Sequence, residues 1–171
     1  MPYPQTIRRL KQWRYAPKAI VIHSTNCRCS FPTLDTDTDK FQTDQIYIAN
    51  VALDKELDAI FHFIIEKIKD DYYVVAGRPL YSPYDGFNID GGIFDNAIHV
   101  CIIGDYNVIK PDTRLYQILC HRVLVPLTYL FGIAKDYIVL HSEVDKNAKN
   151  CPGSFFDKNV LMNHYMTLRR R

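Results

Sequence analysis

The chain has 171 residues, 47% of them hydrophobic, and a formal net charge of +2. That length and apolar content suffice for one domain with its own core. The near-balanced charge excludes the strongly basic footprint of a nucleic-acid binder, and no run approaches the ~18 apolar residues of a membrane-spanning helix. Met1-Pro2-Tyr3-Pro4 runs into charge rather than into an apolar stretch, so no secretory leader is expected. Five cysteines in such a chain predict synthesis in a reducing cytosol with free thiols.

In chain order, residues 1–18 read as a basic arm or short helix carrying Arg8, Arg9, Lys11 and Arg14. Ala19-Ile20-Val21-Ile22 is an apolar, β-branched run and predicts a buried strand that exits at His23-Ser24-Thr25. Cys27 to Pro32 leaves it as a loop, and Leu34 to Asp39 is a polar connector. Thr43-Asp44 can cap a short helix to about Asn50, with another helical turn within Ala52 to Ile60. Phe61 to Ile68 and Tyr72 to Val75 predict a hairpin turning at Lys69-Asp70-Asp71. Leu80 to Asp95, rich in Pro, Gly, Asp, Tyr and Asn, is long for a connection and predicts a lid or binding rim.

Ala97 to Ile103 is a further strand. Asp112-Thr113 caps a helix to about Phe131, whose apolar face is Leu115, Ile118, Leu119, Val123, Leu127 and Leu130. Pro126 predicts a kink in it and Gly132 its stop. Tyr137 to Leu140 is the last strand, and Leu161 to Arg170 a last basic helix. The expected boundaries are 1–18 for the arm, 19–157 for the domain and 158–171 for a basic helix or tail. Interleaved strands and helices predict an α/β fold, a central mixed sheet flanked by helices.

The chemistry concentrates at two strand ends. His23 and His141 each sit where an apolar strand emerges, and Cys151 follows on a loop held by Pro152-Gly153. Two imidazoles and a thiolate suit zinc, and three protein ligands leave a fourth position open, as in catalytic sites. A zinc ion held so can polarise a carbonyl and acidify a water, and both serve amide hydrolysis.

Five blocks carry a resemblance. They are Ile20 to Thr25; Phe61-His62-Phe63-Ile64-Ile65; Ala76-Gly77-Arg78; Asn96 to Gly104; and His141 to Gly153. Together, over roughly Ala19 to Phe156, they resemble the zinc-dependent N-acetylmuramoyl-L-alanine amidases of phage endolysins, autolysins and peptidoglycan recognition proteins. The resemblance implies zinc on His23, His141 and Cys151, and cleavage of the amide between the lactyl group of muramic acid and L-alanine. It matches Lys149 to a lysine that stabilises the tetrahedral oxyanion; an exposed loop lysine is the alternative.

The family's general base is commonly a Tyr where this chain has Phe61, or a Glu where it has Cys101. Neither present side chain does that work. His99, where the family has glycine, is either a substitute base or packing near the metal. Ser24 and Thr25 orient neighbouring contacts or hold the strand end. Ser24, Thr25, Arg78 and Tyr84 are the substrate-binding candidates, Tyr84 either stacking on sugar or peptide or packing in a small loop core. Cys27 and Cys29 are loop thiols.

The expected function is a phage-type lysis or entry enzyme, made in the cytoplasm and acting on the cell wall after release or within a virion. Its partners are peptidoglycan or muropeptide fragments and a possible delivery or regulatory protein, not nucleic acid. The alternative is a catalytically weak amidase-fold module that binds peptidoglycan or serves a structural or regulatory role.

Overall fold

A computed structural model describes residues 16–25, 61–80 and 96–170. Residues 1–15 of the expected arm, the Cys27–Cys29 loop, the helical turns before residue 61 and Tyr84 lie outside the described residues. Among the described residues five strands form one sheet: β1 (Ala19–Ser24), β2 (Phe63–Ile68), β3 (Asp71–Ala76), β4 (Ala97–Ile102) and β5 (Ile138–Leu140). Their order is β3-β2-β4-β1-β5. β2 and β3 are the antiparallel hairpin, turning through Lys69 at φ 55°; the other pairings are parallel, so the sheet is mixed as expected.

Strand side chains alternate between faces. One face presents Ile20 and Ile22 of β1, Ile98, Val100 and Ile102 of β4, Ile65 of β2 and Ile138 of β5. It packs against the helices, and each fully buried aliphatic chain there contributes about 1.5–3 kcal/mol. The other face carries Ala19, Val21, Ala97 and Val139, and on the same alternation His23, His99 and Cys101. The helical layer therefore supplies stability and the opposite face supplies the chemistry.

The long helix runs over α1 (Thr113–Ile118), a π-helical segment (Leu119–Leu124) and α2 (Val125–Phe131). Asp112 caps it by accepting from Leu115 N at 2.8 Å. Instead of an α-helix kinked at Pro126, the six residues before Val125 take the wider π register, with Val125 N bonded to Cys120 O. A wider turn next to a proline absorbs the break in the bonding ladder.

It also delays the helical phase. The buried positions recur every four residues, as Leu115, Leu119, Val123 and Leu127, with Cys120, Leu124 and Thr128 beside them. Leu130, expected on the apolar face, is rolled out to 51% exposure, and Thr128 takes the inward place. Its hydroxyl donates to Val125 O and accepts from the buried Tyr165 hydroxyl at 3.0 Å. Gly132 ends the helix in the left-handed conformation at φ 68°.

After a 3-10 turn (Lys135–Tyr137) and β5 comes one helical turn, α3 (His141–Val144). The final helix α4 (Lys158–Arg169) starts earlier than expected, capped by Asp157, and buries Leu161 and Tyr165 in the main core. Among the described residues no helix is long and apolar enough to cross a membrane.

Candidate metal centre

β1 and β5 are parallel neighbours with Ile22 opposite Leu140. Their carboxyl ends therefore lie at one edge of the sheet, where open α/β sheets place their ligands. His23 is the last but one residue of β1, and His141 directly follows β5. Their rings stand 4.3 Å apart, centroid to centroid. Glu143 holds the turn that carries His141: its carboxylate accepts from Leu140 N at 2.7 Å and pairs with Lys158 at 2.6 Å.

The loop to Cys151 is folded back by its own backbone. Ala148 N donates to Asp145 O, Cys151 N to Ala148 O, and Ser142 N to Cys151 O. Asn150 takes φ 65°, and the Cys151–Pro152 bond is cis. These turns return the chain to α3, and ligand atoms of His23, His141 and Cys151 come within 4.8 Å of one another, all buried. Residues 118 and 10 positions apart in sequence are thus gathered into one cluster of three metal-capable groups.

Cys151 is disulfide-bonded in this structure, whereas Cys101 and Cys120 are buried thiols. The expectation of free thiols thus fails at Cys151. Only a thiolate sulfur ligates zinc, so the donor set fits that ion when Cys151 is reduced.

Both imidazoles have company at their second nitrogen. His23 Nε2 lies 2.9 Å from His99 Nδ1 in a buried hydrogen bond. His141 Nε2 lies 3.4 Å from the carboxylate of Asp145, one helical turn on. His99 is itself fixed: its backbone N–H donates to His62 Nδ1 at 3.0 Å, and His62 N donates to His99 O at 2.9 Å. The His62 and His99 rings stack 5.9 Å apart. Burial pushes His23 well below the ordinary histidine value, helped by His99 and His141. Burial likewise takes His99 down to about 3, with His62, His141 and Arg78 adding to the shift. His141 is also lowered by burial, against the pull of Asp145. All three imidazoles are therefore neutral at pH 7, the form a metal requires.

The remaining sequence candidates fall around this cluster. Phe61 and Cys101 are buried beneath it, with the Phe61 ring 5.3 Å from that of His23. Ser24 is buried, and the Thr25 hydroxyl accepts from Gly104 N at 3.0 Å, tying the end of β1 to the turn after β4. Arg78 is 7% exposed and acts electrostatically on His99. Lys149 is exposed on the Cys151 loop. Sequence reasoning gave no role to Asp145 and took His62 for a core residue, which at 2% exposure it is, without foreseeing its bond to His99. Asp145 had a readable signal, a carboxylate four residues after a candidate ligand at the start of a helical turn; His62 had none, because its partner is a backbone group 37 residues away.

No protein-family model matches the sequence, and no curated protein matches it. Solved structures do match. The N-acetylmuramoyl-L-alanine amidase LysC from Clostridium intestinale URNW has a TM-score of 0.61 at 18% identity, covering 92% of this chain and 88% of that one. AmpD has a TM-score of 0.60 at 16% identity, covering 86% and 84%. A mutant of Drosophila PGRP-LB in complex with tracheal cytotoxin has a TM-score of 0.57 at 15% identity, covering 86% and 82%. The chain thus has the mixed-sheet α/β fold shared by these amidases and peptidoglycan recognition proteins.

Proposed function

We propose that the chain is a zinc-dependent amidase that cleaves peptidoglycan between the lactyl group of N-acetylmuramic acid and L-alanine, in a phage-type lysis or entry role. The observation that carries this reading is the convergence of His23, His141 and Cys151 at the carboxyl edge of an amidase-type sheet. Zinc supplies a Lewis acid there when bound. The protein's own groups do the rest. His23 and His141 offer neutral nitrogens, and reduced Cys151 offers a sulfur whose negative charge the metal stabilises. Lys149, exposed two residues before Cys151, brings a fixed positive charge to the oxyanion that develops on the scissile carbonyl. Ser24, Thr25 and Arg78 shape the muropeptide site from the strand ends, and Tyr84 is its stacking residue.

The substrate class draws support from the fold neighbours, one of which is bound to tracheal cytotoxin. A chain made in the cytoplasm reaches the wall after release or as part of a virion, with a protein partner for delivery or regulation. The test is incubation of the reduced protein with muropeptides, with and without chelator, beside His141→Ala. Release of free stem peptide, lost with chelator and in the variant, is the expected result. No release under any metal loading refutes the enzyme.

A second reading has its own observation. Phe61, where the resemblance expects a proton-transferring Tyr, lies against His23, and Cys101 stands where a Glu is the other expectation. A module that binds muropeptides through zinc with negligible turnover fits that substitution. It predicts saturable muropeptide binding without hydrolysis; vigorous, His141-dependent hydrolysis rejects it.

A further inference from the structure

We propose that His99 is a positioning residue for the metal centre: it accepts the Nε2 proton of His23 and thereby makes Nδ1 the ligating nitrogen of His23. The inference rests on the metal reading above and adds to it how one ligand is oriented.

The argument is one of proton counting. His23 and His99 are 2% exposed each, and their Nε2 and Nδ1 atoms are 2.9 Å apart. A hydrogen bond between two neutral imidazoles needs one N–H and one lone pair. If His99 Nδ1 held the proton, His23 Nε2 would accept it and His23 Nδ1 would carry the other hydrogen. Neither nitrogen of His23 could then bind a metal without breaking the bond. With the proton on His23 Nε2, the bond persists and the lone pair sits on Nδ1. Only this second tautomer is compatible with ligation.

His141 has a carboxylate within ion-pair reach, its Nε2 lying 3.4 Å from Asp145. Metal-bound histidines generally donate their other ring N–H to an acceptor that fixes tautomer and orientation. Here a second imidazole fills that place for His23. His99 is in turn locked, because its backbone N–H is bound by His62 Nδ1 and its carbonyl by His62 N. The ring is thus presented by two strands, β4 and the entry to β2, that pair in the sheet. The structure commits His99 Nδ1 to His23.

The experiment uses the full chain, 15N-labelled, reduced and loaded with one equivalent of zinc. Long-range proton–nitrogen correlation reads each ring nitrogen. A pyrrole-type His23 Nε2 and a pyridine-type His99 Nδ1 are expected; a pyridine-type or metal-shifted His23 Nε2 overturns the inference. Zinc affinity is then measured by competition with a chromophoric chelator. His99→Phe, which has no acceptor, loses about 10–100-fold, and His99→Gln, whose carbonyl can accept, recovers part of that loss. Equal affinity of wild type and His99→Phe, or no rescue by Gln, also overturns it. Should either variant fail to fold, the wild-type tautomer decides alone. Wild-type chain that takes up zinc with the opposite tautomer defeats this inference only; chain that takes up none defeats the metal reading with it.

Discussion

Gly153→Ala tests how the Cys151 loop is anchored. Gly153 has φ +142°, and a Cβ built there runs into the Tyr106 carbonyl carbon and meets Tyr106 Cβ at 2.5 Å and Tyr106 O at 2.6 Å. The obstacle is backbone, itself held: Phe155 N donates to Tyr106 O, and Ser154 N to the Asn107 side chain, both at 2.9 Å. Forcing a side chain into that conformation costs about 1–3 kcal/mol, and overpacking a filled site adds about 1–3 kcal/mol. The expected loss is therefore about 2–6 kcal/mol, a large share of a domain's total of about 5–15 kcal/mol. Gly132→Ala is the internal control. It also has positive φ, +68°, but a Cβ there meets nothing within 4 Å, so only the conformational cost of about 1–2 kcal/mol applies. Urea denaturation of both variants, analysed at a common slope, gives the difference directly. If Gly153→Ala costs no more than Gly132→Ala, the close approach to Tyr106 is wrong. If it costs more, zinc affinity should fall too, because the same contact fixes the loop bearing Cys151.

Other outcomes follow from the same geometry. In metal-free protein, His23, His99 and His141 have folded pKa values below the unfolded value of about 6.5. Their contribution is complete above pH ~6.5 and is lost as pH falls towards the folded values. For His99, held down to about 3, the loss between pH 6.5 and 5 is about 2 kcal/mol, and a denaturation midpoint unchanged over that range contradicts it. Zinc uptake should require reductant, since Cys151 is disulfide-bonded here; full stoichiometric loading of oxidised protein would show that Cys151 is not a ligand. Asp112→Ala removes a helix cap that also accepts from Lys67 at 3.0 Å and Tyr72 at 2.9 Å. It should cost about 1–2 kcal/mol, and a change below ~0.3 kcal/mol in urea melts would refute the cap.

Much of the fold is legible because strand signals are local. Ala19 to Ile22 and Ala97 to Ile102 are short β-branched runs, and each is a fully buried strand. The β2–β3 hairpin announces itself by a polar turn between two apolar runs. The π segment does not, because no residue type marks it. Pro126 signals a disturbance, but whether a helix kinks or widens depends on what it packs against. Leu130 went astray for that reason: its outward turn follows from the phase of residues 119–124, not from its own hydrophobicity.

The site divides the same way. Metal-capable side chains are a property of residue type and strand end, so His23, His141 and Cys151 can be named as candidates from sequence, and the fold brings them together. The groups that aim those ligands are set by register, which a single sequence does not contain. His99 reaches His23 only because β4 lies beside β1 with Val21 opposite His99 and His23 opposite Cys101. From sequence, the ring occupying a glycine position could be a base or filler. Pairing in the sheet makes that ring a neighbour of His23, and the 2.9 Å bond gives its Nδ1 a partner. Removing that ring by His99→Gly should therefore loosen His23 rather than open the site.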